Sequence, residues 1–329
     1  MFKLVKADLY KTLKRWMPYV LLFVLLGYMT YVMSSDYSSS ENFLEKYPWL
    51  TYSDYVEAVE QADEGETAIT IIHYNEEDGT TMHLNIGTNA FEDVVLPDAM
   101  SNKFSYMSIA GTLLLILTAS VFGTEYKWGT IRQTLARGTS RNKYLGSKFL
   151  TLLIIALGFI IIATILAFIA SAVTTWLITG GISWDFLSFG FIVDILSSIG
   201  LVLFVLFVYI CFTDLFTILF KSSTAGIITS FLFFQIEGYI VMSMMSTSYS
   251  VSGSGVTTTM ANPPEWLVYT IGYNIQYLWA YISPDSGNEY LLQQTLTTGG
   301  QSVLVLSMFC IIFVLASFYI FRRQDLTAD

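Results

Sequence analysis

The chain has 329 residues, of which 54% are hydrophobic and 13% are charged, and its mean hydropathy is +0.57. A soluble domain carries about 25% charged residues, so this composition is that of a membrane protein. The net charge is −10, and residues 34–103 alone hold 15 acidic and two basic residues. This acidic excess argues against nucleic acid as a partner, because a phosphate backbone needs a basic surface.

The first 15 residues, 1–15, contain five cations and a helically spaced apolar stripe of Phe2, Val5, Leu9 and Leu13. This pattern predicts an amphipathic helix on the membrane surface, and an ordinary basic flank of the first span remains an open alternative. The apolar run that follows lacks a small-x-small cleavage site. It therefore indicates an uncleaved first span and not a removable signal peptide.

Six apolar runs are long enough to cross the hydrocarbon core of a bilayer, which takes about 20 residues. They predict membrane-spanning helices at 16–33, 104–123, 149–179, 190–220, 223–245 and 301–321. The predicted fold class is therefore an all-α polytopic membrane protein with six transmembrane helices.

The basic residues are divided unequally between the two ends of these spans. Fourteen of the 16 cations fall at one end, and only Lys46 and Lys103 fall at the other. Because Lys and Arg are retained in the cytoplasm, we expect both termini inside and residues 34–103 outside. The expected location is the cytoplasmic membrane of a bacterium.

Residues 34–103 predict a small acidic α+β insert after the first span. A helical segment is followed by two strands joined by a turn at Asp78-Gly79. His73 and His83 could approach each other across this hairpin. Two histidines on solvent-facing strands are usually only polar surface, so no metal site is predicted.

Glu237 lies near the middle of the fifth span, two residues after Gln235. A charged carboxylate at that depth costs about 2.5–3.5 kcal/mol, so it normally faces a cavity or a partner. Two interpretations stay open: a polar element of a translocation path, or a hydrogen bond that holds helices together.

Residues 246–300 predict an outer loop with re-entrant or interfacial helices. An even number of crossings must separate Lys221 from Arg322, since both are expected inside, so the apolar segment 263–284 is not a further span. Aromatic side chains three and four residues apart predict one helical stripe suited to the headgroup boundary. They are Trp266, Tyr269, Tyr273 and Tyr277.

The loop 124–148 between the second and third spans holds six cations and one acid, Glu125. Retention of positive charge explains the sign of the loop but not its pattern. Ile131 and Leu135, at i and i+4 and followed by Gly138, predict one to two turns of helix that end at the glycine. We interpret this helix as a docking element for a soluble partner.

The sequence "GTEYKWGTIRQTLARGTSRNKYLGSKFL" resembles the cytoplasmic loop of ABC-2 type transporter permeases. In both, an acid ends the second span, a Gly-Thr pair opens a short helix, and a Ser-Arg pair precedes a lysine that leads into the third span. The resemblance extends to the amphipathic first helix, the six spans and the outer helices after the fifth. It implies an ATPase-coupling loop whose residues here are Glu125, Trp128, Thr130, Arg132, Arg137 and Arg141.

The resemblance implies the permease subunit of an ATP-driven exporter of amphipathic or hydrophobic cargo, such as an antimicrobial peptide or a drug. Its expected partners are two ATPase subunits, a second copy or homologous permease, and membrane lipid. No G-x-x-x-x-G-K-[ST] sequence occurs, so ATP and Mg²⁺ are expected on the partner, and no catalytic or cofactor-binding residue is predicted here. A secondary transporter coupled through Glu237 and a membrane sensor that uses the insert are the alternatives.

Overall fold

A computed structural model describes residues 2–62, 68–75, 80–245, 248–252, 255–259, 264–283 and 296–324. The predicted turn at Asp78-Gly79 lies outside the described residues. So do Pro263 and Pro284, which flank the predicted outer segment.

The described elements follow one another in a simple order. The helices are α1 (Phe2–Leu13), α2 (Met17–Lys46), α3 (Tyr52–Glu60), α4 (Asp98–Asn102), α5 (Ile109–Lys127), α6 (Thr130–Ala136), α7 (Arg141–Thr179), α8 (Phe189–Phe220), α9 (Ser223–Met245), α10 (Ile271–Ile282) and α11 (Gly299–Arg323). Short 3₁₀ turns occupy Ser105–Ser108 and Glu265–Tyr269. The strands are β1 (Ala68–Asn75), β2 (Thr80–Gly87), β3 (Ser248–Ser252) and β4 (Gly255–Thr259), paired as two antiparallel hairpins.

Six of the described helices, or helical runs, are long and apolar enough to cross a membrane. They are α2, the run from α4 through α5, α7, α8, α9 and α11. The predicted fold class, an all-α polytopic membrane protein with a small insert, is thereby confirmed. The helix α9 has the bounds 223–245 that its apolar run indicates, whereas α7 begins earlier than residue 149, at Arg141.

The helix α2 continues to Lys46, although its apolar run ends near residue 33. No proline or glycine interrupts residues 34–46, and the next proline is Pro48. Phe43 and Leu44 pack on the apolar core of the insert, which stabilises this polar extension. The first span therefore leaves the membrane as a continuous helix.

The helix α5 occupies the centre of the bundle, where it packs on α2, α8 and α9. Two glycines allow this close approach. A Cβ at Gly111 would lie 2.8 Å from the Tyr209 ring, and one at Gly123 would lie 2.3 Å from Cβ of Ser223. Small residues at such contacts let membrane helices approach through dispersion contacts.

The insert has its own small apolar core under α3 and the β1–β2 hairpin. The helix α3 begins with a reciprocal capping box between Thr51 and Asp54. In the hairpin, His73 pairs with Met82 while His83 pairs with Ile72, so the two imidazoles point to opposite faces of the ribbon. The idea that they could approach each other is therefore wrong, and His73 instead stacks on Trp49 with ring centroids 4.5 Å apart.

The two ends of the bundle carry different elements. The loop end carries α1, α6 and the C-terminus of α11 at Arg323. The insert end carries α3, the β1–β2 hairpin and α4.

Candidate functional site

The short helix α6 lies at the loop end, between two glycines with left-handed backbone. Gly129 has φ 61° and Gly138 has φ 87°, a region that glycine adopts without a steric cost. One face of α6 is anchored, because Ile131 is buried in the core of the bundle. Arg132 and Arg137 are exposed to solvent. The helix thus presents cations from a fixed base.

The base of α6 is the part of the bundle from which it extends, and there α1, α5 and α7 form a buried ionic cluster. The Lys148 ammonium lies 2.7 Å from Oδ1 of Asp8 and 2.8 Å from Oε1 of Glu125. All three side chains are less than 10% exposed. Charges buried in this way persist only when they are paired and hydrogen-bonded.

Polar neighbours complete the cluster. Ser147 donates a hydrogen bond of 2.8 Å to Oδ2 of Asp8, and the Tyr144 hydroxyl donates to Oε2 of Glu125. Lys11 reaches Oε1 of Glu125 at 3.0 Å from a half-exposed position. With two carboxylates and two ammonium groups, the cluster has no formal net charge, and it holds the base of α6 to α1 and α7.

A second set of bonds holds the loop to the end of α11. Arg141 donates from Nη1 to the carbonyl oxygens of Phe321, Arg322 and Gln324 at 2.8–2.9 Å. The last carbonyls of a helix have no partner within the helix, so a cation there satisfies them. The Tyr126 hydroxyl donates to Oε1 of the Gln324 side chain at 2.9 Å.

The six residues predicted for the coupling loop therefore divide into two groups. Trp128, Arg132 and Arg137 are exposed, and the Trp128 ring lies 5.5 Å from the guanidinium of Arg15 on the chain that joins α1 to α2. Glu125 and Arg141 hold the loop in place through the bonds above.

Thr130 belongs to this second group, since it donates to the Glu125 carbonyl at 3.5 Å. The surface of the loop that a partner could contact is accordingly formed by fewer residues than the six predicted.

Sequence reasoning missed the partners that bury Glu125, namely Asp8, Lys11 and Tyr144. One signal was present: Asp8 is the single acid in the first 35 residues. It lies on the face of α1 that Val5 and Thr12 bury against α7. The predicted apolar stripe of α1 is not buried as a whole. Phe2 and Leu13, which belong to it, are exposed beside the buried face.

Glu237 contacts the first turn of α10. A Cβ at Gly272 would lie 2.8 Å from Cγ of Glu237, and one residue further along α9 the Gly238 carbonyl accepts a 3.2 Å hydrogen bond from Gln276. Acidic side chains are favoured at helix N-termini, where backbone N–H groups lack partners. This contact fits the interpretation in which Glu237 holds helices together.

The position of Glu237 also sets the depth of α10. It lies eight residues before Met245, so α10 begins about 12 Å below the insert end of α9. At its other end, Ser283 donates to the Asn102 carbonyl at 3.2 Å, so α10 returns to the insert end. The helix α10 therefore runs from this depth beside α9 back to the insert end.

The predicted single aromatic stripe is interrupted. Trp266 and Tyr269 lie in the 3₁₀ turn Glu265–Tyr269 and are exposed, whereas Tyr273 and Tyr277 lie in α10 and are buried. Thr270 separates the two pairs because its backbone is extended and its hydroxyl caps α10. Gln235, predicted with Glu237, is exposed on α9.

Comparison with known proteins agrees with this architecture. A family profile described as "ABC-2 family transporter protein" matches residues 3–326. The chain is also 23% identical to the uncharacterized protein YhcI of Bacillus subtilis (strain 168) over 237 residues. This aligned region covers 69% of this chain and 68% of that protein. Together with six membrane-crossing helices, the match over nearly the whole chain identifies it as a member of the ABC-2 family of transporter membrane proteins.

Proposed function

We propose that the chain is the permease subunit of an ATP-driven exporter, and that α6 is the surface on which a separate ATPase subunit docks. Membership of the family implies association with ABC ATPase subunits. The loop end lies in the cytoplasm in this proposal, because it carries 14 of the 16 cations. The export direction and the two ATPase copies are part of the proposal.

One observation supports the proposal above the others: α6 presents exposed cations while its base is fixed by buried ion pairs. A force applied to α6 would pass through Glu125 into α5 and through Lys148 into α7. Asp8 would carry it into α1, and Arg141 into the end of α11. Rigid, paired contacts of this kind can couple a docked ATPase to several spanning helices at once.

The same arrangement suggests how ATP would be used. Closure of two ATPase subunits would push on the α6 helices of two permease copies. This movement would switch the translocation path between inward and outward access. ATP and Mg²⁺ would be bound by the partner. The cargo proposed is amphipathic or hydrophobic.

The test is co-purification of the ATPase with charge-reversed α6. The chain is expressed with an affinity tag in its host and purified from the membrane. We expect an ATP-hydrolysing subunit with a Walker A sequence to elute with it. Reversing both exposed cations, Arg132→Glu with Arg137→Glu, should reduce the recovered subunit at least about tenfold, since each reversal places like charge against the partner. Arg323→Glu is the matched control, because Arg323 is exposed at the end of α11.

Two outcomes would contradict the proposal. One is undiminished recovery of the ATPase with the doubly reversed α6. The other is an equal loss with Arg323→Glu. Size-exclusion profiles of each variant separate loss of docking from loss of fold.

We propose further that a second copy of the chain, or a homologous permease, covers the exposed face of α9. Gln235 and Ile236 are exposed there. An amide in contact with lipid tails leaves its hydrogen bonds unmade, whereas a neighbouring helix can satisfy them.

Cysteine substitution tests this face, because the two native cysteines, Cys211 and Cys310, are buried. With Ile236→Cys, we expect disulfide-linked dimers in oxidised membranes. Ile161→Cys, on the exposed apolar face of α7, is the matched control and should stay monomeric. Equal cross-linking of both variants would show random collision and remove this part of the proposal.

A further inference from the structure

Two neighbouring cavities at the insert end form one groove. The first, of about 230 Å³, lies between α3 and the segment 88–98. The second, of about 250 Å³, lies between the α4 region, with Phe104, and the end of α8 nearest the insert. Both are lined by Pro97 and Asp98, so the two cavities adjoin at these residues, between the insert and the edge of the spanning bundle.

The charge of this groove has one sign. Among the described residues that line the two cavities are four acids and no Lys or Arg. The acids are Glu60, Glu92, Asp98 and Asp194. The carboxylates come from three parts of the chain, namely α3, the segment 88–98 and α8, and they line a space about as large as a small organic molecule.

Aromatic rings line the same space. Tyr52, Tyr55 and Phe91 form an edge-packed group in the first cavity, with centroids 4.9–6.0 Å apart. Burial raises the pKa of Tyr55 to about 12, and burial together with the nearby Asp98 carboxylate raises the pKa of Tyr52. Both hydroxyls therefore stay neutral at physiological pH, and the charge of the groove comes from its carboxylates.

The second cavity is the more apolar of the two. Met100, Phe104 and Phe191 contribute to its wall, with Ile195 one turn further along α8. Phe104 precedes the 3₁₀ turn that leads into α5, and Phe191 lies in the first turn of α8. This part of the groove is thus at the boundary between the insert and the membrane-spanning bundle.

From this combination we propose that the groove is a binding site for amphipathic organic cations. The cationic head would lie against Tyr52 and Asp98, since a cation is attracted both by a carboxylate and by the face of an aromatic ring. The apolar tail would follow Pro97 into the second cavity, towards Phe104 and Phe191. A neutral or anionic molecule of the same shape would lose the attraction of the head group to Tyr52 and Asp98.

If the bound cation is exported cargo, the site rests on the proposed function and defines the charge of that cargo. Binding itself needs no ATPase and no transport. Its failure would leave the docking proposal intact, and failure of docking would leave the binding site intact.

The experiment is calorimetric titration of the full chain in nanodiscs of phosphatidylcholine. The probes are hexyltrimethylammonium, hexanesulfonate and hexanol, which share a six-carbon tail and differ in head charge. Empty nanodiscs are titrated in parallel to subtract partition into lipid. We expect saturable binding of the ammonium probe, and binding of the other two at least about fivefold weaker, the factor that a cation–π contact and a nearby carboxylate supply.

Two isosteric variants locate the site. Asp98→Asn and Asp194→Asn each remove one charge from the groove, and each should weaken the ammonium probe at least about threefold. Glu57→Gln is the matched control, because Glu57 is an exposed acid of α3 that lines neither cavity. Asp194→Asn is the safeguard if Asp98→Asn does not fold.

Several results would overturn the proposal. Equal binding of all three probes would mean simple partition into an apolar space. Absence of saturable binding would mean that the acids are only solvated surface. An equal loss with Glu57→Gln would mean attraction to the whole acidic insert and no defined groove.

Discussion

Both ends of the bundle bury a lysine, and they expose charges of opposite sign. At the loop end, carboxylates are buried around Lys148, while Arg132 and Arg137 are exposed. At the insert end, Lys103 is buried and acids such as Asp98 are exposed. A count of charges along the sequence assigns each end its sign, but burial decides which charges are available to a partner.

The largest expected effect tests whether the buried charges of the loop end are structural. Lys148→Met leaves two carboxylates buried with only the half-exposed Lys11 nearby. Breaking a buried pair from one side costs about 3–5 kcal/mol, so we expect a sharp loss of folded protein and of thermal stability. The measurement is the thermal midpoint of the detergent-purified protein, followed by fluorescence-detected size exclusion.

Lys143→Met is the matched control for that change, because Lys143 lies on the same helix and is exposed. Its thermal midpoint should stay close to that of the wild type. A Lys148→Met protein as stable as the control would mean that the cluster does not hold the loop end together.

The next effect tests whether the helices at the loop end are packed as closely as their glycines indicate. Gly123→Ala would place a methyl group 2.4 Å from the backbone nitrogen of Ser223, and overpacking of this kind typically costs about 1–3 kcal/mol. Gly158→Ala is the control: nothing lies within 4 Å of its Cβ position, and alanine favours helix over glycine. We expect the first variant to lower the thermal midpoint and the second to leave it unchanged or raise it.

The smallest effect concerns an exposed acid of the insert end that has a structural role. Hydrogen bonds from Thr51 lower the pKa of Asp54 below its ordinary value of 3.8. The contribution of Asp54 to stability is therefore present above about pH 4 and is lost as the pH falls through the lower, folded value. Since the pair is exposed, the contribution should stay below about 1 kcal/mol.

This prediction is checked by comparing wild type with Asp54→Asn. The variant should have a slightly lower thermal midpoint at pH 6, and the difference should shrink as the pH is lowered below 3.8. A difference that stays constant as the pH falls would assign the effect to packing, and the ionised carboxylate would then have no part in it.

Local patterns were enough to predict much of the fold. The apolar runs gave α9 the bounds that the structure has, and Ile131, Leu135 and Gly138 indicated the short helix α6 and its end. These features depend on residues a few positions apart, for which helical spacing and glycine conformation are sufficient.

The site was less predictable because its bonds join distant parts of the chain. Lys148 is 140 residues from Asp8, and Arg141 is 180 residues from Phe321. No spacing rule connects such pairs, so the sequence did not show that Glu125 and Arg141, two residues of the predicted coupling loop, stabilise the loop from within. Burial of Tyr273 likewise depends on α9, whose Val241 and Met245 belong to the same apolar cluster.

The central claim is that α6 faces the cytoplasm while the insert faces outward, and thiol labelling of intact cells tests it most directly. Gln133→Cys places a thiol on the exposed part of α6, Glu57→Cys places one on the insert, and both native cysteines are buried. With a membrane-impermeant maleimide, we predict labelling of Glu57→Cys in intact cells and of Gln133→Cys only after the membrane is opened. Labelling of Gln133→Cys in intact cells would contradict the account.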